Sequence, residues 1–173
     1  MSNERITITV GVDFTGVVHI PSPGPGIDES WSKPPTWTVK QEVVITGPTD
    51  ITWKLVATNP PDGLSAIFAN GDTSLDKEHY DRVNPIQFLN PDPPGPMLWP
   101  YQQPTRQPDG LHVTVTDPFT PDPKNPNGNG YEYYIWVVLA DATGIHKAPA
   151  FSKDPDIKND GGKKKYTIAH SAS

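Results

Sequence analysis

Apolar and polar residues alternate with period two along much of the chain. Ile6, Ile8, Val10, Val12 and Phe14 share one parity and Thr7 and Thr9 the other, so residues 4–14 predict a long strand with one buried face. GVVHI at 16–20 predicts a second strand, or the same strand past a bulge. Trp37, Val39, Val43 and Ile45 alternate through 36–46, with Gln41 the one polar residue on that parity. Gly47-Pro48 breaks the run, and Ile51, Trp53 and Leu55 resume it in 51–58. By the same parity Trp37 and Trp53 belong to the core.

Further on, GLSAIF and PIQFL predict short strands, and Leu111, Val113 and Val115 oppose His112, Thr114 and Thr116 in 110–116. YEYYIWVVLAD, APAFS and KKYTIAH complete the series. One helical turn is expected at 74–83, where Leu75, His79 and Val83 recur at every fourth position. About eight to ten short strands separated by turn residues predict one all-β domain over 1–173, an antiparallel immunoglobulin-like β-sandwich with long Pro-rich loops.

The strand at 131–140 stands apart. Tyr131, Tyr133, Ile135, Val137 and Leu139 fill one face, and Tyr134, Trp136, Val138 and Ala140 most of the other. A strand apolar on both faces is normally covered on both. The proline-rich PDPPGPMLWPYQQP at 91–104 is the expected cover, or else an aromatic strip for a ligand.

Composition sharpens this picture. The 22 prolines and 14 glycines fall between the alternating runs, which makes them loop punctuation in a folded protein. The absence of cysteine excludes disulfides, thiolate zinc sites and a cysteine nucleophile. A net charge of −6 disfavours nucleic acid as a partner. MSNERITITV has no charged region followed by an apolar core, and no apolar run approaches the ~18 residues of a membrane span. The expectation is a cytoplasmic protein without a membrane partner.

Little in the sequence points to catalysis. There is no GxSxG elbow, P-loop, dinucleotide fingerprint or HExxH motif. The five histidines are isolated, and a carboxylate-based hydrolase would have to draw on scattered residues such as Glu132. One stretch has the oxygen spacing of a calcium loop: Asn70, Asp72, Ser74, Asp76, Glu78 and Asp81. Leu75 stands where such a loop needs glycine, so a capped helical turn competes with the calcium reading. No organic cofactor is expected. Trp31, Trp99 and Tyr101 lie in loops, where rings can stack against sugars or peptides.

Three stretches carry a resemblance: ITWKL at 51–55, YEYYIWVV at 131–138 and DPDIKND at 154–160. In this order they resemble the DP-EP family of small bacterial β-sandwich proteins; the proline-rich stretches 21–35 and 91–108 lie outside that pattern. The resemblance implies an immunoglobulin-like sandwich and transfers no catalytic or binding residue. The leading expectation is a non-catalytic binding module for a protein partner or for self-association, because sandwiches expose edge strands. A carbohydrate-binding module using Trp31, Trp99 and Tyr101, with or without calcium, is the second reading.

Overall fold

The computed structural model describes residues 2–27, 30–69, 85–88, 104–117, 129–143, 151–153, 156–159 and 167–169, all of them strand, turn or loop. The predicted helical turn at 74–83 lies outside the described residues.

Five strands form one sheet: β1 (Glu4–Asp13), β4 (Thr36–Thr38), β6 (Thr49–Thr58), β9 (Thr105–Arg106) and β10 (His112–Asp117), in the order β4-β1-β6-β10-β9. A seven-stranded sheet holds β5 (Glu42–Ile45), β7 (Ser65–Phe68), β8 (Ile86–Phe88), β11 (Asn129–Ala140), β12 (Phe151–Lys153), β13 (Asp156–Asn159) and β14 (Thr167–Ala169). A ribbon of β2 (His19–Ile20) and β3 (Ser30–Trp31) sits apart. The protein is therefore an all-β, layered fold. Most pairings are antiparallel, but β1 runs parallel to β6 and β13 parallel to β5, so both large sheets are mixed.

The alternating run at 36–46 is two strands rather than one. Its first half, β4, pairs with β1; its second half, β5, pairs with β13 and β14 in the other sheet. The change of sheet falls around Lys40 and Gln41, where the polar residue interrupts the apolar parity. Trp37, Val39, Val43 and Ile45 remain buried because both halves face the same core.

Trp53 of β6 and Tyr133 of β11 join the layers. Both are fully buried, the indole N–H donates to the phenol oxygen at 3.2 Å, and the rings meet edge-to-face at 5.6 Å. The bond gives the buried indole N–H an acceptor inside the core. Truncating a tryptophan in such a position costs about 3–5 kcal/mol.

On β11, Tyr133, Ile135, Val137 and Leu139 face inward and are buried. On its other face Val138 and Ala140 are buried as well, while Tyr134 and Trp136 are half-buried and meet edge-to-face at 6.2 Å. Residues 91–103 of the expected cover lie outside the described residues; Pro104, at its end, is buried. Strands β7 and β8 share one edge of β11. Between them the chain leaves at Ala69, whose N–H donates to the Trp136 carbonyl, and returns at Pro85, whose carbonyl accepts from the Trp136 N–H. Leu111 departs from its expected place. It is exposed, because it belongs to the turn that leads into β10.

Candidate functional site

Strand β1 is ten residues long and pairs along its whole length with β6, from Glu4–Thr49 to Asp13–Thr58. On its opposite edge, β4 covers only Gly11, Val12 and Asp13. Among the described residues, nothing pairs with the β1 backbone from Glu4 to Val10 on that edge.

The direction of the backbone groups follows from the bonds at the ends of β1. The N–H of Glu4 donates to the Pro48 carbonyl at 3.1 Å and that of Phe14 to the Thr58 carbonyl at 2.9 Å, both on the β6 side. Backbone groups alternate sides along a strand, so Ile6, Ile8 and Val10 also face β6. Arg5, Thr7 and Thr9 turn their N–H and C=O groups to the open edge. Their side chains are exposed, while Ile8 and Val10 are buried in the core and Ile6 is half-buried against it.

The outer face beside this edge is rich in threonine. Register places Thr7, Thr52, Thr114 and Thr105 in one row across four strands. Next to it lies the row Arg5, Asp50, Thr116. Asp50 accepts from the Asn3 amide at 3.0 Å and the Thr116 hydroxyl at 2.9 Å, and these bonds hold its carboxyl below the usual 3.8. Threonine suits an exposed, pleated surface, so this face is polar and regular rather than sticky.

Three other edges are short or capped. Strand β4 is only three residues long and follows Pro34-Pro35; β9 is two residues long and follows Pro104. Short edge strands next to proline resist further pairing. The free side of β7 is closed by the β9–β10 hairpin. There the Phe68 N–H donates to the Gly110 carbonyl at 2.8 Å, and the Arg106 guanidinium donates to the Phe68 carbonyl at 2.9 Å. Gly110 has φ of +72°, and a Cβ there would lie 2.9 Å from Ile67 Cγ2, so glycine is required.

At the far end of β1 the chain turns through Asp13–Val17. Asp13 Oδ1 accepts from the Thr15 hydroxyl at 2.7 Å, the Thr15 N–H at 3.0 Å and the Asn59 amide at 3.3 Å. These bonds, the Thr15 hydroxyl foremost, hold the carboxyl below its usual 3.8. Asn59 sits at φ of +52°, a conformation asparagine tolerates. An open groove of about 540 Å³ lies here, lined in part by Phe14, Val17, Val18, Pro60 and Pro61. Val18 and Ile27, both 58% exposed, and Ile20 lie in the same segment of chain.

Of the residues singled out from sequence, Trp31 is half-buried. Its ring lies 5.0 Å from His19 and 5.6 Å from Phe151, which in turn meets Phe14 at 5.5 Å. The ring thus packs at the rim of the core, and only part of it is available to a ligand. Trp99 and Tyr101 lie outside the described residues, as do Asn70, Asp72, Ser74, Asp76, Glu78 and Asp81. The Glu132 side chain lies outside them too. Among the described residues no three His, Asp or Glu side chains come together as metal ligands, and no helix is long and apolar enough to cross a membrane. The open edge residues Arg5, Thr7 and Thr9 were not singled out from sequence. Local alternation carries no sign of them, because it does not show which strand pairs with which or how far.

Comparison with protein-family models found no match to the chain, and comparison with curated proteins found none either.

Proposed function

We propose that this protein is a non-catalytic interaction module that binds a partner by adding an extended strand to the open edge of β1. The observation that carries this reading is the row of backbone groups at Arg5, Thr7 and Thr9, which no described residue pairs, beside edges that are short, proline-flanked or capped. Strand addition draws affinity from main-chain hydrogen bonds and specificity from alternate side chains. A partner strand laid here would place one set of side chains beside Ile6 and Ile8 and the other beside the threonines. The resemblance of ITWKL, YEYYIWVV and DPDIKND to the DP-EP family supports an immunoglobulin-like arrangement for the scaffold. Trp53 and Tyr133, which bond across the layers, come from the first two of those stretches.

The test uses isotope-labelled protein titrated with a synthetic heptapeptide of alternating Ile and Thr. Chemical-shift changes concentrated at Arg5, Thr7 and Thr9, and lost in Thr7→Pro, are expected. Uniform or absent changes would remove the reading. Proline at 7 deletes an N–H that faces the open edge and no ladder bond, so the fold should survive it.

A further inference from the structure

The open edge matches itself. It runs from Glu4 to Val10, is centred on Thr7, and ends where Gly11 meets Thr38 of β4. We infer that the strand added to β1 is β1 of a second copy of this chain, antiparallel, with a two-fold axis at Thr7. The inference rests on the strand-addition reading above and names its partner.

Three features of the edge single out this register. In an antiparallel pair, facing residues of one class exchange both hydrogen bonds, and here that class must be Arg5, Thr7 and Thr9. Centring on Thr7 sets Thr7 against its own copy and Arg5 against Thr9 of the second copy. Every outward-turned backbone group from Arg5 to Thr9 then has a partner on both chains.

The alternatives are worse. Centring on Arg5 would set two guanidinium groups directly opposite, a destabilising arrangement, and would leave Thr9 unpaired. Centring on Thr9 would drive the second chain into β4, because Gly11 and Asp13 already pair with Thr38 and Thr36. Centring on Ile6 or Ile8 either leaves Thr9 without a strand residue or again runs into β4.

Side chains agree with the Thr7-centred register. On the inner face Ile6 comes beside Ile8 of the second copy, which covers the half-buried Ile6 and extends the core across the junction. On the outer face Thr7 meets Thr7, a favourable cross-strand pair. The two Arg5 side chains stay at opposite ends of the pairing. Two-fold pairing of this kind closes on itself, so it yields a dimer and not a fibre. Each chain carries −6, so long-range repulsion opposes association, and added salt should strengthen it.

The chain has no cysteine, which makes the test clean. Thr7→Cys should form a covalent dimer under mild oxidation or with a short bifunctional thiol reagent. Thr58→Cys is the control: it is exposed on the same sheet but lies on β6, away from the edge. Wild type in sedimentation equilibrium should show a monomer–dimer equilibrium that strengthens with salt and weakens at least tenfold in Thr7→Pro. The inference is overturned if wild type stays monomeric to millimolar concentration, or if Thr58→Cys cross-links as fast as Thr7→Cys. A monomer that still binds the heptapeptide at Arg5, Thr7 and Thr9 would overturn self-pairing and leave strand addition standing. A monomer with no response at those residues would overturn both.

Discussion

The free sides of β7 and β1 show two treatments of the same liability. Each belongs to a strand whose backbone must bond to something or to water. At β7 the chain supplies its own cap: Gly110 accepts from Phe68, and Arg106 donates to it. At β1 the neighbour β4 stops after three residues, and Glu4 to Val10 are left uncovered by any described residue. The capped side needs a glycine at positive φ and an arginine whose burial lowers its pKa. The open side needs no such device and carries exposed threonines instead. The fold thus closes the β7 edge with its own hairpin, while at β1 no described residue does the same.

The largest effect is expected on the capped side. Gly110→Ala forces a Cβ against Ile67 and places alanine at φ of +72°. It should cost about 2–4 kcal/mol in urea denaturation. By freeing Phe68 it should also create association that Thr7→Pro does not suppress. A loss below about 1 kcal/mol would mean that the hairpin is not held against β7.

Arg106→Ala removes one charge-assisted bond to the Phe68 carbonyl and should cost about 1–3 kcal/mol. The same measurement on Thr7→Pro should show a change under about 1 kcal/mol, since no described residue pairs with that N–H. Equal losses in the two variants would erase the distinction between the edges.

Acid should act on both sides, through Asp109 in the hairpin and through Asp13 and Asp50 on and beside β1. Asp109, in the hairpin turn, accepts from the Leu111 N–H at 2.8 Å and meets His112 Nδ1 at 2.7 Å. The Leu111 bond foremost, with the His112 contact, holds its carboxyl below 3.8. Asp13 and Asp50 are held below 3.8 as well. A carboxyl lowered in the folded state contributes stability that is complete above its unfolded pKa and is lost as pH falls through the folded value. Urea midpoints should therefore be flat above about pH 5 and decline below 3.8. Asp109→Asn should lessen the decline. A decline that begins near neutrality would assign it to other groups.

Much of the fold was legible in the alternation. The strand at 4–14, the short strands around 65–68 and 86–88, and the burial of Trp37 and Trp53 all follow from parity. The run at 36–46 does not show its division into β4 and β5, because a chain that changes sheets keeps its inward parity on both sides of the crossing. What parity does not carry is pairing. Nothing local shows that β1 lies parallel to β6, or that β4 is too short to cover it. The open edge was therefore invisible, although its threonines were in plain view. Loop aromatics are the more conspicuous feature of the sequence, and the one of them the structure describes, Trp31, packs on Phe151 and His19.

Amide hydrogen exchange along β1 reads the state of its edge residue by residue. At low protein concentration, Arg5, Thr7 and Thr9 should exchange quickly, while Ile6, Ile8 and Val10, bonded to β6, should be protected. Raising the concentration should slow the first three selectively. Protection of all six at every concentration would contradict the account, for it would mean that the β1 edge is already occupied within the single chain.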